Sequence, residues 1–258
     1  MRTLPLLLLL AAASLSSAAD WTKRFTVTAK PELRVDSNDA SVHVWAGAST
    51  AIEVRVVAEG WKIGSDEVRV TDHQVGNRVD LDVRVPKGNW GIGSRSVRVE
   101  VRAPREMSAA IHTADGSIAL EGLKGDARLV TGDGNITVET LDGSLDAKSG
   151  DGRIEVRGRF DLLNIWTGDG SIEAAIQPGS KVATGWRIQS GDGSVRLRVP
   201  PDLAADVDVS TGDGHISSAL SVAISGSPSE SSLRGKLSGG GRTLTVRTGD
   251  GAINLDRL

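Results

Sequence analysis

The chain has no cysteine, no tyrosine and only two phenylalanines among its 258 residues. Without cysteine there is no disulfide, no thiolate metal site, no nucleophilic thiol and no cysteine to carry a lipid anchor. Scarce aromatics argue against an aromatic-rich globular core, and 31 glycines point instead to a turn-rich, aliphatic, all-β chain. Excess charge is lacking too. Leaving out Arg2, 29 basic residues stand against 33 acidic ones, about −4 spread along the whole length, and nothing in that balance attracts nucleic acid. There is one long apolar run, Leu4 to Ala13 in MRTLPLLLLLAAASLSSAAD, too short to span a bilayer. With Arg2 before it and small residues after it, the run predicts a secretory signal peptide over residues 1–19, cleaved near Ala18 or Ala19. No later segment is apolar enough for a membrane span. The expected mature chain is soluble and exported, to the periplasm, the cell surface or beyond.

What is abundant is a repeat. Asp followed by Gly recurs at Asp115, Asp133, Asp151, Asp169, Asp192, Asp213 and Asp250; the first three intervals are 18 residues, the next three 23, 21 and 37. Two residues before each Asp stands a hydroxyl: Thr113, Thr131, Ser149, Thr167, Ser190, Thr211 and Thr248. Three residues after it comes Ile118, Ile136, Ile154, Ile172, Val195, Ile216 or Ile253, and four before it Ile111, Leu129, Ala147, Ile165, Ile188, Val209 or Val246. Further small or apolar residues lie mostly five after and six before, so period-two alternation flanks each Gly corner. That pattern is two short strands per repeat, each with one buried face. The residues between them, such as Arg128, Asp146, Asn164, Glu155 and Glu173, are polar and of mixed sign, and read as a solvated outer face. A weaker second corner falls at Leu123 to Asp126, Leu141 to Ser144 and Phe160 to Leu162.

An 18-residue coil with two strands and two corners predicts a flattened β-solenoid, its equivalent positions stacked about 4.8 Å apart. The alternative is an antiparallel β meander or sandwich, because Asp-Gly between alternating strands is also a hairpin signal. The constant interval and the hydroxyl column, suited to ladders of hydrogen bonds along an axis, favour the solenoid. Residues 109–258 form its repeats. Residues 20–108 keep the strand pattern without the Thr-Gly-Asp-Gly signature and are expected to form an irregular β segment capping the N-terminal edge, continuous with the repeats, with a degenerate corner near Asp39.

The seven Asp-Gly carboxylates permit two readings. In the first they make corners, each carboxylate accepting backbone N–H groups just ahead and the next Gly supplying positive φ. Stacked carboxylates 4.8 Å apart in water repel by about 0.9 kcal/mol, close to the roughly 1 kcal/mol gained from one local hydrogen bond, so such a column stands unaided. In the second they form a calcium column, as in β-rolls of period nine. The Thr-Gly-Asp-Gly order differs from the β-roll repeat and the second corner is not Asp-rich, so corner-making is the expectation and no cofactor is assigned.

His43, His73, His112 and His215 share no metal-ligand spacing, and no Ser-His-Asp order, H-E-x-x-H or P-loop is present. No two carboxylates are singled out as a glycosidase pair. Two tryptophans are candidate partner contacts: Trp90 in the loop GNWGIGSRS, and Trp166, which alternation points outward beside Lys148.

Val99 to Pro104 (VEVRAP), then IHTADGSIAL, the T-G-D-G-x-I units and the closing GGGRTLTVRTGDGAINL make residues 33–258 resemble the bacterial exported "putative adhesin" β-strand-repeat family, a domain of unknown function. The resemblance implies a β-helix-like fold and an envelope setting, and brings no catalytic residues. The expected function is a non-enzymatic binding or scaffold protein of the cell envelope, with a surface glycan or envelope protein as partner. The alternatives are a polysaccharide-active β-helix enzyme and a calcium-stabilised repeat module.

Overall fold

The computed structural model describes residues 19–64, 67–86, 95–225 and 229–258. Among the described residues there is no helix, and twenty strands form one continuous hydrogen-bonded sheet. They begin β1 (Ala19–Thr26), β2 (Glu32–Ser37), β3 (Ser41–Glu59), β4 (Arg69–Val75), β5 (Arg78–Arg84) and β6 (Ser96–Pro104). They continue β7 (Ser108–Thr113), β8 (Ile118–Glu121), β9 (Lys124–Thr131), β10 (Ile136–Ser149), β11 (Ile154–Thr167) and β12 (Ile172–Ile176). The rest are β13 (Trp186–Ser190), β14 (Val195–Val199), β15 (Ala205–Thr211), β16 (Ile216–Ser218), β17 (Ala223–Ile224), β18 (Ser232–Leu237), β19 (Thr243–Thr248) and β20 (Ile253–Arg257).

The repeats are a β-solenoid. Ile118, Ile136, Ile154 and Ile172 are successive partners in parallel register, which an antiparallel meander does not produce. β10 and β11 each bend through the second corner and serve both faces of one coil, so Leu145 lies beside Ala127 on one face while Val138 lies beside Leu120 on the other. The inward positions are mostly aliphatic: Leu129, Ile136, Val138, Ile154 and Ile165 are all buried. Four such side chains per coil, each contributing roughly 1.5–3 kcal/mol on burial, stabilise a stack where a lone coil has nothing to bury against. Leu123, Leu141 and Phe160 fill the second corner, and Trp186 meets Phe160 edge to face at 6.4 Å.

The hydroxyl column is a buried ladder. Thr131 Oγ1 donates to the carbonyl of Gly116 in the preceding layer at 2.9 Å and accepts the N–H of its own Gly134 at 3.2 Å. Ser149 repeats the pair with Gly134 O and Gly152 N, both at 2.9 Å. The degenerate corner belongs to the same series, since Ser37 Oγ accepts the N–H of Ala40 and Thr113 donates to Ala40 O. The hydroxyl, and not the Asp carboxylate, therefore satisfies the corner's backbone. Neither does the Gly after the Asp have positive φ: Gly134 and Gly152 lie outside the positive-φ set and are needed because the neighbouring layer's backbone passes too close for a Cβ. Thr131→Val keeps the shape but strands a buried carbonyl and N–H, so it is expected to cost about 2 kcal/mol; a urea midpoint unchanged from the parent would contradict the ladder.

The layers do not stack in chain order. At one end, β2 and the first part of β3 lie between the β5/β6 layer and the β7/β8 layer. β4, the second part of β3 and β1 then cover that end as antiparallel strands. At the other end, β19 lies between β13 and β15, and β20 between β14 and β16. The final coil fills a slot inside the stack, and the 37 residues from Asp213 to Asp250 are not two coils. They hold one strand of the outermost layer, β16, the antiparallel cover formed by β17 and β18 on β15, and then β19, the first strand of the inserted coil. Identical Thr-Gly-Asp-Gly corners can neighbour one another in any order, which is why period counting does not reveal this arrangement.

Candidate functional site: the outer faces

Because inward positions are filled by aliphatic side chains and the ladder, ionisable side chains are displayed outward. Many are neutralised there. Arg153 bridges Glu155 at 2.6 Å and Glu173 at 2.9 Å, and Arg198 also reaches Glu173. At the second corner Arg159 holds Asp161 through a two-bond fork, at 2.7 Å each, and also contacts Asp142. These hydrogen bonds, to Asp161 first and Asp142 second, raise the Arg159 pKa further, and the same fork lowers that of Asp161. Such pairs fix side-chain positions on a partly solvated surface and add little stability.

The seven corner carboxylates are exposed and make no hydrogen bond among the described residues. No group of three His, Asp or Glu among the described residues converges well enough to hold a metal ion. Trp166 points outward as alternation requires, 44% exposed, with Lys148 on the adjacent strand on one side and Gln189 on the other. Trp90 lies outside the described residues, as does the predicted leader up to Ala18.

A third tryptophan was missed by the sequence reading. Trp45 stands outward on β3, 36% exposed, its ring stacked on His43 at 3.6 Å between centroids. His43 Nε2 is in turn 2.7 Å from Glu121 Oε1 on the neighbouring strand, so the indole is held in one orientation. Two hollows are lined in part by it. One reaches Glu53, Arg55, Glu100 and Arg102; the other reaches Arg105, Glu121 and Glu139; both are floored by Ala46, Gly47 and Ala48. The signal was available, since Val42 and Val44 point inward and alternation turns His43 and Trp45 out.

No helix among the described residues is long and apolar enough to cross a membrane. Residues 107–256 match the family described as Toastrack DUF4097. Among solved structures, a protein described as a "putative adhesin" from Bacteroides fragilis shares 13% identity over 93% of this chain and 98% of its own, with a TM-score of 0.53. A "putative cell adhesion protein" from Clostridium sporogenes shares 12% identity over 94% of this chain and 100% of its own, at a TM-score of 0.39. A "putative lipid binding protein" from Parabacteroides distasonis shares 13% over 92% and 96%, at 0.41. Among curated proteins no sequence matches.

Proposed function

Since the chain belongs to the Toastrack DUF4097 family, we propose that it is an exported, non-enzymatic β-solenoid serving as a binding or scaffold surface of the bacterial cell envelope. One observation carries this reading. The interior is given over to aliphatic packing and the hydroxyl ladder, while the outward ionisable groups are dispersed along the stack, many in ion pairs between neighbouring layers. A regular, rigid pair of faces with dispersed charge suits a recognition surface better than a reaction centre, which brings an acid and a base together on one bond. A surface glycan or another envelope protein is the partner, engaged through these faces, with Trp166 and Trp90 as contacts.

Fractionation of the native host with protease shaving of intact cells tests it. The expected result is a processed chain in the envelope or medium and none in the cytosol; full-length protein confined to the cytosol would overturn the proposal. Shaving then separates a surface role from a periplasmic one. Incubation with a polysaccharide panel is expected to release no reducing ends. Release that disappears on changing a specific pair of outward carboxylates would establish the enzymatic alternative.

A further inference from the structure

We infer that Trp45 and the two hollows beside it form a binding site for an uncharged saccharide chain. The inference rests on the reading that the outer faces bind, and it adds the place and the class of ligand. The indole is amphipathic and large, and one of its faces is already occupied by His43 at 3.6 Å. The other is left for a ligand. Because His43 is tied to Glu121 at 2.7 Å, the ring is oriented before anything binds, and little side-chain freedom is lost on binding.

The surroundings select the partner. A pyranose offers an apolar C–H face to an aromatic ring and a rim of hydroxyls to planar donors and acceptors. Around Trp45 the hollows present three guanidiniums, Arg55, Arg102 and Arg105, and four carboxylates, Glu53, Glu100, Glu121 and Glu139. Near-balance of sign gives no net attraction for an anion or a cation, yet supplies both kinds of hydrogen-bonding group. The side chain of Arg102, next to Trp45 across the strand pair, makes no ion pair or hydrogen bond among the described residues, and neither does that of Glu139. Their bonding capacity is open to hydroxyls. The two hollows share Trp45, Ala46, Gly47 and Ala48 in their linings, so together the site has the extent of a short chain and not of one isolated sugar.

Gly47 supplies an independent handle. A Cβ added there meets nothing within 4 Å, so a side chain at this position enters the hollows without disturbing the strand.

The test is indole 15N–1H NMR on the tryptophan-labelled full chain, titrated with maltohexaose, cellohexaose and chitohexaose, and in parallel with oligogalacturonate and heparin fragments. At least one neutral hexasaccharide is expected to shift the Trp45 signal saturably and leave that of the buried Trp186 in place. Trp45→Ala and Gly47→Leu are each expected to weaken that binding by about tenfold or more, and Val75→Ala, at an exposed position of β4 outside the hollows, to leave it unchanged, with all variants melting near the parent temperature. Three results overturn the site: no shift at Trp45 with any neutral chain, binding confined to the acidic chains, or neutral binding that survives both Trp45→Ala and Gly47→Leu. In the last case the outer face still binds and only this location falls. A chain that is surface-exposed in the host yet binds no saccharide keeps the envelope role, with a protein as its partner.

Discussion

Replacing Gly152 with alanine is expected to destabilise the fold by about 3 kcal/mol or more, while the same change at Gly47 is expected to stay within about 1 kcal/mol. The two glycines differ in what surrounds them. A Cβ on Gly152 would lie 1.9 Å from the carbonyl oxygen of Gly134 in the preceding layer and 2.7 Å from Ser149 Oγ; a Cβ on Gly47 meets nothing within 4 Å. Neither has positive φ, so strain from the backbone conformation does not enter. The clash at Gly152 is with main chain of a layer that is itself hydrogen-bonded on both sides through Gly132, which donates to Ala114 O and accepts from Gly150 N–H, so relief requires the layers to part. For a chain of this size each kcal/mol lowers the melting temperature by about 2–4 °C, giving a fall of roughly 6–12 °C for Gly152→Ala and little for Gly47→Ala. Equal effects at the two sites, read by calorimetry, would show that the corner glycine is not there for close approach.

Deleting residues 242–258 is expected to do more than shorten the stack. In a solenoid whose layers follow chain order, removing the last coil exposes one fresh edge. Here β19 and β20 are interior, each hydrogen-bonded on both sides. Their loss removes the buried Leu244, Val246, Ile253 and Leu255, about 6–12 kcal/mol of apolar burial for four such side chains. It also removes the surface on which β15 and β16 rest. Residues 200–241 are then left with only the β17 and β18 cover for support. The expected outcome in limited proteolysis followed by mass spectrometry is rapid cleavage within 200–241 and a resistant fragment ending near Val199. Resistance across 200–241 in the shortened chain would contradict the interleaved arrangement.

The repeat made much of this legible. Positions three and five after the Asp, and four and six before it, named most of the interior side chains of the repeats, because a two-residue period can bury only one set; in the outermost layer Ile216 is half-buried and Ser218 exposed. The spacing of the hydroxyls pointed to a ladder, and Trp166 was placed outward by alternation alone. Other features depend on information that a period does not hold. Gly in a corner has two physical explanations, φ and proximity, and only the position of the adjacent layer distinguishes Gly152 from a turn glycine. Asp133 resembles a turn acceptor in sequence, yet Thr131, two residues earlier, reaches Gly134 N–H first. Trp45 lies in a layer whose corner, Ser37 to Ala40, lacks both glycines, so no repeat register marked its face. Stacking order is the largest gap, because corners with the same chemistry are interchangeable and the slot filled by β19 is set by chain connectivity.

That order positions every row of side chains on the outer faces, and the absence of native cysteine allows it to be tested directly. Arg187, Thr245 and Asp208 lie side by side on β13, β19 and β15. Neighbouring strands are about 4.8 Å apart, within the reach of a disulfide, whereas strands two apart are about 9.6 Å apart and beyond the roughly 7 Å limit. The measurement is oxidation of two double variants, Arg187→Cys with Thr245→Cys and Arg187→Cys with Asp208→Cys, scored by mass spectrometry after digestion. An intramolecular disulfide in the 187–245 pair and none in the 187–208 pair is the expected result. Ready crosslinking of 187 to 208 would mean that the coils stack in chain order and would contradict the interleaved solenoid.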